Sequence, residues 1–158
     1  MTRLHVSDPP IQGFGSTWDG LPVARDKPYG VSILVWRDRG DREWLVLHRK
    51  HHGPDYAGDW AWTPPSGARL PDETVLECAE RELCEETGLS LRLVPTRLGS
   101  PEWHAYVARA SPEVQVELDA EHDRYEWVSL EEAAARCLPA FVGQSFRTAE
   151  AWLESSLS

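Results

Sequence analysis

Between Leu70 and Leu91 the chain carries seven acidic residues, Asp72, Glu73, Glu77, Glu80, Glu82, Glu85 and Glu86, against the single base Arg81. Residues 74–87 of this stretch lack Gly and Pro. They place Leu76, Ala79 and Leu83 at i, i+3 and i+7, the apolar spacing of an amphipathic helix, with Gly88 just past its last turn. On such a helix Glu82, Glu85 and Glu86 stand at i, i+3 and i+4, so three carboxylates project from one face within a turn. Like charges at that spacing cost a helix roughly 0.2–0.5 kcal/mol per pair, and the macrodipole disfavours anions near this C-terminal end. A bound divalent cation reverses that penalty. Read from spacing alone, the cluster is either a solvated acidic face or a seat for such a cation.

The rest of the chain reads as strands on both sides of that helix. Residues 1–29 hold Pro9, Pro10, Gly13, Gly15, Gly20, Pro22 and Pro28, a density that breaks regular elements, and are expected to form an extended arm over the core. From Gly30 the runs VSILVWR and EWLVLHRK, separated by the polar turn Asp38 to Asp41, read as a hairpin. A Trp-, Gly- and Pro-rich loop, Gly53 to Gly67, leads into the helix. Strand-like runs follow at 90–98, 103–110, 114–118 and 124–128, broken by Gly99, Pro101 and Pro112. Two further helices are expected, Leu130 to Cys137 and Gly143 to Leu157. This order predicts an α/β chain with a mixed central sheet flanked by helices. At 158 residues we expect one domain: arm 1–29, core 30–128 and C-terminal helices 129–158.

The formal net charge of −10 argues against direct grip on a nucleic acid, which needs a basic surface. An acidic protein takes an anionic substrate through cations held by a carboxylate cluster. Cys78, Cys84 and Cys137 show no C-x-x-C spacing, so neither a disulfide framework nor a thiolate zinc site is indicated, and no nucleophilic role is expected for Cys84. With no signal-peptide pattern and no apolar run of bilayer length, a cytoplasmic location and no membrane partner are expected.

The segment Gly67 to Leu89, GARLPDETVLECAERELCEETGL, fits the pattern G-x5-E-x7-R-E-U-x-E-E-x-G-U, with U aliphatic, at every fixed position. It resembles the signature box of the Nudix hydrolases, and on that ground the α/β/α sandwich of the Nudix fold is expected. The resemblance implies that Glu82, Glu85 and Glu86, with the Gly67 carbonyl, hold Mg²⁺ or Mn²⁺, hard cations that favour oxygen donors. It implies that Arg81 orients the glutamates, that Glu73 pairs with Arg81 or lies near a metal, and that Gly67 and Gly88 serve the loop and the helix end. The reaction implied is attack of water on phosphorus, the cations activating the water and bridging the phosphates. The general base is Glu86 within the box or Glu121 outside it. Glu121 resembles the glutamate of an E-H-x-x-Y/F-x-W segment in several family members, with Glu117, Asp119 and Asp123 as rivals. A nucleotide-type small molecule is the expected partner, a dinucleoside polyphosphate or a nucleoside triphosphate. The alternatives are a nucleotide sugar such as ADP-ribose, a non-nucleoside diphosphate, or binding without turnover. The chain is expected as a monomer or homodimer, the arm reaching a partner in the second case.

Other residues bear on substrate. LHRKHH, Leu47 to His52, is the densest basic patch. It is either a solvated turn or a place where Arg49 or Lys50 meets a phosphate. Trp60 and Trp62 either stack on a base or pack in the core. WTPPSG, Trp62 to Gly67, is similar to WTPPKG of the dinucleoside tetraphosphate hydrolases, with Ser66 where those have lysine. Trp62 and Ser66 thus join Arg49 and Lys50 as expected substrate contacts.

Overall fold

The computed structural model describes residues 22–157, so most of the expected arm lies outside the described residues. The elements are β1 (Gly30–Asp38), β2 (Arg42–Arg49), β3 (Trp62–Thr63), β4 (Ser66–Ala68), α1 (Val75–Thr87), β5 (Leu93–Gly99), β6 (Trp103–Arg109), β7 (His122–Val128), α2 (Leu130–Arg136) and α3 (Ala140–Leu157). The strands form one mixed sheet in which β1 and β6 run parallel and the other pairs antiparallel.

Alternation along the central strands decides which helix each face receives. Val31, Ile33 and Val35 of β1, with Leu45 and Leu47 of β2, pack with Cys78, Ala79 and Leu83 of α1. Leu34, Trp36, Trp44 and Val46 face the other way, onto Ala133, Cys137, Val142, Phe146, Ala149 and Leu153 around α2 and α3. Helices therefore cover both faces, the α/β/α sandwich expected. Among the described residues no helix is long and apolar enough to cross a membrane.

One departure from a simple hairpin creates the site. β1 and β2 pair only at their turn end, Trp36 to Trp44 through Asp38 to Arg42. Beyond that they splay. The far end of β1 pairs with β4 (Val31 with Gly67), and the far end of β2 pairs with β3 (Leu47 with Thr63). The segment TPPSG is thus wedged into the split, with the Pro65 carbonyl accepting from the Ile33 N–H at 2.9 Å. Pro64 and Pro65 carry no N–H, so this stretch could not have continued a ladder.

Four expectations need correction. Residues 114–118 form no strand: Val114, Val116 and Leu118 pack on the α1 side, but this alternation records burial alone. Leu76 is 44% exposed, and Cys78 takes the inward place beside Ala79 and Leu83. Helix α3 starts at Ala140 and runs through Gly143, where a Cβ would lie 2.2 Å from the Ala134 carbonyl; that glycine permits close packing on α2 and does not start the helix. The loop read as Gly53 to Gly67 contains β3 and enters β4.

Candidate active site

Local signals set the limits of α1. Thr74 caps it in a capping box with Glu77, and Gly88, at φ +73°, ends it in the left-handed conformation that suits glycine. The helix then buries two of its acids: Glu82 is 0% and Glu86 2% exposed, whereas Glu85 is exposed. Glu82 lies against β4 so closely that a Cβ on Gly67 would fall 1.9 Å from its Oε2. Glu86 Oε1 accepts from the Ser66 N–H at 3.2 Å.

Arg81 ties these parts together. Its Nε and Nη2 donate to Glu73 at 2.5 and 2.9 Å, Nη1 reaches Glu82 at 3.2 Å and Glu85 at 3.3 Å, and Nη2 also donates to the Ala68 carbonyl at 3.0 Å. Burial pushes the Glu73 carboxyl up, but the hydrogen bonds from Arg81 and the Leu70 N–H more than offset it and hold it below its ordinary range. Lysine keeps the charge and loses the planar fork. Arg81→Lys is accordingly expected to cost about 2–3 kcal/mol, below the range for breaking a fully buried pair because Arg81 is partly exposed, read as a lower urea midpoint at unchanged slope.

The opposite wall comes from the end of β2 and the turn before β7. Burial, then the charges of Glu82 and Asp119, push the Glu86 carboxyl well above its ordinary range, against the Ser66 N–H and Arg49. Arg49 is buried and pairs with His122 across the ladder. His122 Nδ1 lies 2.8 Å from Asp119 Oδ1. The Glu121 carbonyl accepts from the Lys50 N–H at 3.0 Å, and its carboxylate oxygens are shielded from solvent. Of the rivals to Glu121, Asp119 bears on Glu86, whereas Asp123 holds His48 at 2.7 Å. Sequence reasoning missed His122, and the D-A-E-H spacing of Asp119 to His122 was the available signal.

The family model described as NUDIX domain matches residues 26–148. The chain belongs to the Nudix hydrolase family. The asymmetrical bis(5'-nucleosyl)-tetraphosphatase of Mus musculus is 38% identical over 117 residues, 64% of this chain and 74% of that protein. A Myxococcus xanthus protein named octanoyltransferase is 33% identical over 149 residues, 86% of this chain but only 41% of that protein's length. Among solved structures, a C. elegans Ap4A hydrolase binary complex superposes with a TM-score of 0.65 at 25% identity, over 80% of this chain and 98% of that one.

Among the described residues of this Nudix chain, no three His, Cys, Asp or Glu side chains converge at metal-ligand spacing. Glu82 and Glu85 face Arg81, and Glu86 faces Ser66. The donor set nonetheless fits a hard cation: two buried carboxylates repel each other beside a loop whose glycine leaves no room for a side chain.

The expected substrate contacts divide. Arg49 stands at the carboxylate cluster, while Lys50 is exposed at its edge. Trp62 is 4% exposed, with Arg136 and Arg124 over its ring at 4.7 and 5.1 Å and His48 packed edge-on, so it belongs to the core. The buried Ser66 hydroxyl donates to the Pro64 carbonyl, and its backbone N–H serves Glu86, so this residue shapes the loop. On the other side of that loop Pro64 lines a cavity of about 740 Å³, walled also by Leu34, Trp60, Leu98, Trp103 and Phe141. The sequence reading missed this cavity, whose walls come from four separate stretches of chain.

Proposed function

We propose that this Nudix hydrolase is a divalent-cation-dependent pyrophosphohydrolase that cleaves a phosphoanhydride bond in a nucleoside diphosphate linked to a further group, a dinucleoside polyphosphate or a nucleoside triphosphate. The observation that carries this reading is the shared loop Pro64 to Gly67: an apolar cavity of nucleoside size lies on one side and the α1 carboxylates on the other. Trp60 supports it. Its φ of +67° is a left-handed backbone costing a bulky residue about 1–2 kcal/mol, and its ring meets Phe141 edge-on at 5.4 Å in the cavity wall. The mouse relative named bis(5'-nucleosyl)-tetraphosphatase and the C. elegans protein named Ap4A hydrolase support the substrate class.

In this mechanism Glu82, Glu85, Glu86 and the Gly67 carbonyl would hold Mg²⁺ or Mn²⁺, which would supply positive charge for the phosphates and for activation of water. Glu86 takes the proton from the attacking water. It is buried at the end of α1, its Oε1 accepting from the Ser66 N–H of the loop that faces the substrate. Glu121 is the alternative base, on the turn bound to Lys50. Arg81 with Glu73 fixes the helix carboxylates, Arg49 meets a phosphate beyond them, and the cavity binds the base and keeps water from it.

The test is incubation with Mg²⁺ and a panel of dinucleoside polyphosphates, nucleoside triphosphates and ADP-ribose, with products separated by chromatography. Metal-dependent cleavage of a dinucleoside polyphosphate or triphosphate is expected. Cleavage of ADP-ribose alone would reassign the substrate. Phe141, 64% exposed, can be truncated without disturbing the core. Because base–aromatic stacking is worth about 1–3 kcal/mol, Phe141→Ala should raise KM roughly 5- to 150-fold and leave kcat near wild type.

A further inference from the structure

Strand β7 is bulged where it meets the end of β2: His48 pairs with Arg124 and Arg49 with His122, leaving Asp123 as the extra residue. A bulge breaks the period-two alternation and re-aims side chains, which is why bulges recur beside active sites. Asp123 turns to His48, whose Nε2 lies 2.8 Å from the Tyr56 carbonyl, and Arg124 approaches the same Asp123 carboxylate at 3.3 Å. His122 instead stands opposite Arg49, 4% exposed. An ionised Asp119 only accepts hydrogen bonds, so the 2.8 Å contact requires the proton on His122 Nδ1.

Asp119 precedes β7 on a stretch without regular structure, and the backbone bond between the same two residues is long, 3.4 Å from the His122 N–H to the Asp119 carbonyl. The imidazole is therefore the firmer of the two bonds between them. We propose that His122 is a positioning residue for hydrolysis: seated by the bulge opposite Arg49, it donates from Nδ1 to Asp119 and so fixes the turn that carries Asp119 and Glu121 against the end of β2. The assignment rests on the hydrolase reading, in which Glu86 is the base. Burial and Asp119 act on His122 in opposite directions, and burial prevails, so the ring holds its place as a neutral donor.

His122→Leu preserves volume and burial but removes the donor. Partners that orient active-site ligands typically contribute 10- to 100-fold, so kcat on the cleaved substrate is expected to fall by about that factor with KM within about threefold. His122→Asn restores an N–H near the position of Nδ1 and should return kcat to within about threefold of wild type, a rescue that a merely structural role would not show. Asp119→Ala, which removes the acceptor, should match the loss of His122→Leu, and the double variant should be no worse than either single one. Wild-type kcat in His122→Leu, or an Asn variant no better than Leu, overturns the proposal. If wild type cleaves nothing in the panel, the hydrolase reading fails, and titration with Mn²⁺ alone, followed by the paramagnetic resonance of the free ion, decides the positioning role. Affinity about 10-fold weaker in His122→Leu and restored in Asn supports it, and equal affinity, or no Mn²⁺ bound by wild type, overturns it.

Discussion

Glu86→Gln is expected to abolish turnover and, with metal chelated, to raise the melting temperature at neutral pH. Both effects follow from one placement. Glu86 is 2% exposed and shares its surroundings with Glu82 and Asp119, so its ionised form is disfavoured first by burial and then by like charge. Glutamine has the same shape, and its carbonyl oxygen still accepts from the Ser66 N–H. What is lost is the charge and the ability to take a proton. Removing a general base costs roughly 10²–10⁴ in kcat. For stability the sign is set by linkage: the folded-state pKa is raised above the unfolded value of about 4.3, so the folded protein prefers the protonated acid. The stability tied to this group is complete below that unfolded value and is lost as pH rises through the folded pKa, which makes the ionised acid a liability at pH 7. The substitution should then add about 1–2 kcal/mol, or about 3–6 °C for a chain of this size. The gain should shrink towards zero near pH 4. Thermal melts with chelator at pH 4 and 7, beside single-turnover rates, test both halves. An equal gain at both pH values would falsify the electrostatic account, and retained turnover would transfer the base to Glu121.

How much of this was legible beforehand depends on how local each determinant is. Thr74, Glu77 and Gly88 cap α1 through neighbours in sequence, so the helix could be read within a residue of its limits. Alternation was no guide to the facing of Val31, Ile33 and Val35, because Leu34 and Trp36 between them are apolar too. At 114–118 alternation misled, because it records which side is buried and not whether a partner strand exists. Strands β3 and β4 were illegible for a different reason: their pairing exists only because β1 and β2 splay, an event of tertiary structure. At the site, spacing placed Glu82, Glu85 and Glu86 on one face of the helix. It could not show that Glu82 and Glu86 are buried while Glu85 is exposed, since that division depends on how the Gly67 loop lies across the helix. For Trp62 the choice between stacking and core packing was settled by His48, Arg124 and Arg136, contacts from three other parts of the chain.

That dependence on the loop makes Gly67→Ala the second substitution of large effect. Gly67 pairs with Val31 in the ladder, which fixes its backbone from one side, and Glu82 presses on it from the other. An added Cβ would lie 1.9 Å from Glu82 Oε2 and 2.1 Å from its Cδ, inside any tolerable contact. Glu82 is 0% exposed and bound to Arg81, so it cannot swing into solvent, and the loop must shift instead. Overpacking of this kind costs about 1–3 kcal/mol, a fall of roughly 3–10 °C in melting temperature. Turnover should fall further than stability suggests, by about 100-fold or more at a temperature where the variant is folded, because displacing the loop by about 1 Å moves the Gly67 carbonyl and the Ser66 N–H relative to Glu86. The double variant Gly67→Ala/Glu82→Ala separates the two effects: with the carboxylate gone the new methyl has room, so the melting temperature should recover most of its loss while turnover stays low. If Gly67→Ala alone melts like wild type and turns over normally, the close approach of loop and helix does not govern the site.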